Sequence, residues 1–110
     1  MITRIEIDSQ DRLIITKDTV RYEGPGEPRK RWTVTSHTAS FETMFLNLCA
    51  EVGALTTLAG RWDGGEKTVF TVTEASGAKT SYVLNQPEEK YTVCFTIIDQ
   101  MVRHADPTRR

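Results

Sequence analysis

Tyr91, Cys94, Phe95, Ile98, Met101, Val102 and Ala105 recur at spacings of three and four. At about 3.6 residues per turn this places them along one face of a helix. The pattern predicts a helix from Pro87 to His104, and its ends carry matching signals. Pro87 lacks the N–H that a first helical position would leave unpaired. Glu88 and Glu89 suit the positive end of the helix dipole, and Arg103 and His104 the negative end. Asp106-Pro107 stops the helix, because proline restricts the residue before it to extended backbone. A second stripe, Phe41, Met44, Phe45, Leu48, Cys49 and Val52, predicts a helix over Ser40–Val52. Thr38 and Ser40 are its candidate N-caps, and Gly53 is a plausible C-cap.

The remaining segments alternate with period two. Ile5 and Ile7 oppose Arg4 and Glu6 in a first strand over residues 2–7. Leu13-Ile14-Ile15 is a short branched run suited to a strand inside a sheet. Lys17-Asp18 forms a tight connection to a third strand, in which Val20 and Tyr22 oppose Thr19, Arg21 and Glu23. Gly24-Pro25-Gly26-Glu27-Pro28 excludes regular structure. Trp32 and Val34 then share one face of a fourth strand. After the first helix, Phe70 and Val72 oppose Val69, Thr71 and Thr73 in a fifth strand. Ser76-Gly77 turns the chain into a hairpin partner, residues 80–84. Ala54–Gly60 is apolar enough to pack but too short for a further long helix.

Strands, helix, strands, helix, all joined by short connections, predict a single α+β domain spanning residues 1–110. An antiparallel sheet of about five or six strands carries the two helices on one face. The other face, bearing Thr, Arg, Lys and Glu, meets water.

Composition changes this picture little. The chain has 110 residues, 38% hydrophobic and 26% charged, with a net charge of −1. This is long enough for a real core. It offers no global attraction for nucleic acid or an anionic membrane. No apolar run approaches the roughly 18 residues that cross a bilayer. The opening residues carry charge where a signal peptide is apolar, so a cytoplasmic location is expected. Cys49 and Cys94 both fall on helix stripes and are expected as reduced core thiols. With two separated cysteines and two separated histidines, neither a zinc site nor a cofactor is expected.

Candidate chemistry is sparse. Arg29-Lys30-Arg31-Trp32 is a local basic cluster with an adjacent ring, suited to a phosphate-bearing or acidic partner. Trp62 lies in the turn Trp62-Asp63-Gly64-Gly65, where an exposed ring can anchor a partner. His37 stands beside Ser36 and Thr38, but neighbours on a strand point to opposite faces. No phosphate-loop pattern occurs, and no nucleophile, base and acid assemble into a catalytic set. The sequence therefore carries the expectation of a small non-catalytic interaction domain. Its binding residues would be Arg29, Lys30, Arg31 and Trp62, and its partner another protein or a second copy. The alternatives are a small-ligand site between sheet and helices, and, less favoured, a nucleic-acid surface at Arg29–Trp32.

Overall fold

The computed structural model describes residues 1–26, 30–56, 68–84 and 91–108. Six strands, β1 (Ile2–Asp8), β2 (Arg12–Thr16), β3 (Thr19–Glu23), β4 (Arg31–Thr35), β5 (Thr68–Glu74) and β6 (Lys79–Leu84), form one sheet. Its order is β4-β3-β2-β1-β5-β6. Every neighbouring pair is antiparallel. α1 (Ala39–Thr56) follows β4, and α2 (Thr92–Ala105) follows β6. The α+β architecture is the one the alternation predicts, down to the faces its residues occupy.

Register explains why the core forms where it does. Val34, Val20, Ile15, Ile5 and Val72 lie opposite one another across five strands. All are buried, and they form one apolar row beneath the helices. A second row runs Trp32, Tyr22, Leu13, Ile7, Phe70 and Tyr82. Ile7 and Phe70 are buried at its middle, while the other four are half-buried toward the sheet margins. Phe41, Phe45, Leu48, Val52 and Leu55 of α1 meet Cys94, Ile98, Met101 and Val102 of α2 in the same core. Thr38, just before α1, bonds to His104 at the end of α2, so the helices run in opposite senses.

Two expectations are corrected. α1 continues through Gly53 to Thr56 instead of stopping at Val52. A Cβ placed at Gly53 meets nothing within 4 Å, so this glycine is an exposed interior position and not a C-cap. Phe95 is 38% exposed. It sits one residue, about 100° of helical rotation, from Cys94, at the stripe's edge. Met44 and Cys49 likewise flank the buried line and are only partly covered. Of the two candidate N-caps, Thr38 is the one that caps α1: its Oγ1 accepts the Phe41 N–H at 3.2 Å. At the far end of α2 the expected stop holds, with the Asp106 N–H donating to the Val102 carbonyl. Pro87, Glu88 and Glu89 lie outside the described residues.

Candidate functional site: the open face of the sheet

Residues alternating with the core rows point away from the helices. One outer row reads Arg31, Glu23, Arg12, Asp8, Val69 and Val83, and the next Thr33, Arg21, Ile14, Glu6, Thr71 and Ser81. A third contains Thr16, Arg4, Thr73 and Lys79. The face divides in two. Strands β1–β4 carry the arginines and carboxylates, while β5 and β6 carry aliphatic and hydroxyl groups, with Lys79 at the margin. Thr71 and Ser81 join their hydroxyls at 3.0 Å across that second half.

Glu6 organises the charged half. Its oxygens lie 2.9 Å from Arg4 Nε and 2.7 Å from an Arg12 terminal nitrogen. Arg12 also approaches Asp8 at 3.4 Å, and Arg21 pairs with Glu23 at 3.0 Å. The depth of these groups differs sharply. The Glu6 and Glu23 side chains are only 9% and 15% exposed, against 41%, 42% and 49% for Arg4, Arg12 and Arg21. Glu6 and Glu23 thus lie low against the strands beside more exposed guanidiniums, while Asp8, 43% exposed, is the carboxylate that stands out with them. Water therefore meets more positive than negative charge on this half.

This burial acts on the titration of Glu6. Desolvation alone would raise its pKa, but the Arg12 hydrogen bond and the charges of Arg4, Arg12 and Lys79 outweigh it. The carboxyl is held below its ordinary 4.5. Arg12 is correspondingly held more firmly protonated, chiefly by its hydrogen bond to Glu6.

The structure separates the residues of the sequence-predicted cluster. Arg31 stands on the open face opposite Glu23. Lys30 is exposed immediately before β4, and its carbonyl accepts the Gly24 N–H. Trp32 points to the helix side, stacked on Tyr22 with centroids 5.3 Å apart and planes 18° from parallel. The ring and the Arg31 guanidinium thus occupy opposite faces of β4. Arg29 and Trp62 lie outside the described residues. Compared with known proteins, the chain matches no family model, no curated protein and no solved structure.

A second polar cluster joins the helix ends. Ser36 Oγ lies 3.1 Å from Thr38 Oγ1, which lies 2.9 Å from His104 Nε2. Because Thr38 Oγ1 also caps α1, the chain of hydroxyls ties the start of one helix to the end of the other. His37 is a separate, exposed group 3.7 Å from Asp18. Asp18 itself is held below its ordinary pKa by hydrogen bonds from Thr16 and Thr19. The Ser36–Thr38–His104 contact was beyond sequence reasoning, since its signals sit 66 residues apart. Both cysteines are free thiols, and burial pushes each up to about 11. Such thiols stay protonated and weakly nucleophilic. Among the described residues no His, Cys, Asp or Glu grouping could hold a metal ion. Nor is any described helix long and apolar enough to cross a membrane.

Two concavities are lined by described residues. A polar cleft of about 480 Å³ lies between the loops leaving β1 and β3, around Asp8, Asp11, Arg12 and Glu23. A more apolar groove of about 340 Å³ lies between α1 and the sheet, lined by Ile2, Thr16, Lys17, Glu42, Phe45 and Leu46 among others.

Proposed function

We propose that this chain is a small non-catalytic interaction domain that docks another protein on the open face of its sheet. The observation that carries the reading is the layered charge of that face, with exposed guanidiniums beside a buried Glu6 and a mostly covered Glu23. Five strand spacings of about 4.8 Å give the surface a width of roughly 24 Å, enough for a helix or a small domain to rest on. Arg31, expected from the sequence as a binding residue, belongs to this surface; Lys30 adjoins it at the start of β4.

The test is comparative capture from a lysate of the chain's own host. Wild type and an Arg21→Gln/Arg31→Gln variant serve as baits, and light scattering after size exclusion gives the mass of each species at two concentrations. The expected result is a species retained by wild type and lost from an equally folded variant. Identical captures by both baits sink the open-face reading.

The groove beside α1 supports a second reading, a small amphipathic ligand held between helix and sheet. Phe45 and Leu46 supply its apolar wall, and Lys17 and Glu42 the polar rim. Any compound bound there raises the melting temperature. A screen without a stabilising compound removes this reading.

A further inference from the structure

The charged half of the open face also specifies its occupant. We infer that the partner presents an acidic protein segment, whose carboxylates meet the guanidiniums of Arg4, Arg12, Arg21 and Arg31 while neighbouring aliphatic side chains rest on Val69 and Val83. The inference rests on the open-face reading above and adds the chemistry of what docks there.

Three observations favour this occupant. The first is charge. The face carries Arg4, Arg12, Arg21, Arg31 and Lys79 against Glu6, Asp8 and Glu23, and two of those three carboxylates are less exposed than the guanidiniums beside them. An arginine whose one edge is engaged by an underlying carboxylate still has outward N–H donors, already oriented, for a second carboxylate. Less side-chain freedom is lost on binding than from a free surface arginine.

The second observation concerns rings. Tyr22, Trp32, Phe70 and Tyr82 all belong to the helix-side row of the strands. Among the described strand residues none places an aromatic ring on the open face. Single-stranded nucleic acid on a sheet relies on such rings for base stacking. The groups beside the arginines are aliphatic and hydroxyl-bearing, which suits a protein surface.

The third is symmetry. A two-fold dimer whose axis passes through the charged half would bring the arginines of one copy near those of the other, and an axis between the halves would set arginines against Val69 and Val83. Neither arrangement matches the guanidiniums with carboxylates as an acidic partner does.

The experiment uses the full chain, labelled with nitrogen-15, and four fluorescent probes of matched length. These are an alternating Glu/Val peptide, its Lys/Val counterpart, a single-stranded DNA and a duplex DNA. Anisotropy gives affinity at 50 and 300 mM salt, and amide and arginine Nε–Hε shifts locate the contact. The expected result is binding of the Glu/Val peptide, with shifts at Arg4, Arg12, Arg21, Val69 and Val83. Affinity should fall about tenfold at the higher salt. It should fall at least about tenfold in Arg21→Gln/Arg31→Gln, whose own melting curve controls for folding.

The alternative outcomes separate the two claims. Lys/Val binding on the same face overturns the acidic occupant and leaves the open-face reading standing. Glu/Val binding that shifts only helix residues overturns the open-face reading, and this inference with it. DNA binding without Glu/Val binding overturns both. No binding of any probe up to millimolar concentration overturns the acidic occupant.

Discussion

Glu6→Gln tests whether the open face is held together as described. The substitution keeps size but removes the charge between Arg4 and Arg12 and replaces one of the two acceptor oxygens with an NH2 donor. Exposed ion pairs contribute about 0.2–1 kcal/mol each. Removing one partner from a fully buried pair costs about 3–5 kcal/mol, because the other charge is left uncompensated. This site lies between those limits, with a carboxylate 9% exposed and arginines 41% and 42% exposed. Water takes up part of the charge left behind, so the expected loss is roughly 2 kcal/mol. In urea, with a slope of about 1.5 kcal/mol per molar, the midpoint falls by about 1.3 M at pH 7 with the slope unchanged. The sign of the pH dependence follows from the lowered pKa. A carboxyl held below 4.5 in the folded state stabilises the fold above that value, and the contribution disappears as pH falls through the folded pKa. The gap between wild type and variant should therefore narrow below pH 4.5 and close once Glu6 is protonated in the folded state as well. A cycle with Arg12→Gln should return a coupling energy of about 1 kcal/mol. Equal stability at pH 7, a gap that persists in acid, or zero coupling would refute the reasoning.

Other substitutions probe the fold at single positions. Gly53→Ala should stabilise by about 0.8 kcal/mol, because the added methyl has open space and helical backbone is easier for alanine. A lower melting temperature would count against the helix running through it. Thr38→Ala should cost about 1 kcal/mol as the Phe41 N–H loses its cap, with Thr38→Ser restoring most of it in thermal unfolding. Ile15→Ala should cost about 2–5 kcal/mol and its neighbour Ile14→Ala much less, since Ile15 is fully buried and Ile14 only partly covered. Equal costs in denaturant titration would mean that the two faces of β2 are wrongly assigned. Cys49 and Cys94, both raised to about 11, should react slowly with a thiol reagent at pH 8 until the chain is unfolded. Stability should also fall as pH rises from about 9 toward 11, where only the unfolded thiols ionise.

The fold was legible because its strands alternate cleanly. Ile5 and Ile7, Val20 and Tyr22, and Phe70 and Val72 each predict a face, and antiparallel pairing then aligns those faces into continuous rows. Helix limits were harder to read. Gly53 looks like a terminator, yet tertiary packing of Leu55, 7% exposed, carries α1 another turn past it. Local propensity is worth about 1 kcal/mol at a glycine, less than burying a leucine. The candidate site was legible only in part. Arg31 stood out by composition, but its companions Arg4, Arg12 and Arg21 are scattered over three strands as isolated charges. Only cross-strand register assembles them. Trp32 misleads for the same reason, since adjacency in sequence on a strand means separation in space.

The same register argument explains why Glu6 is buried on a face that looks out to water. It lies on β1, an interior strand, with Ile14 opposite it on β2 and Thr71 opposite it on β5. Arg4 reaches it from two residues away and Arg12 diagonally from the neighbouring strand. With an arginine at each of its oxygens the carboxylate is left 9% exposed, and long cationic side chains commonly cover the surface beneath them. A carboxylate in that position costs desolvation energy that a threonine there would not incur. What it provides in return is orientation: two guanidiniums fixed at the centre of an otherwise open sheet. Stability alone would be served as well by an uncharged cluster, with Arg4, Glu6 and Arg12 all replaced together. The position of Glu6 is therefore easier to understand as part of a surface that presents arginines than as part of a core.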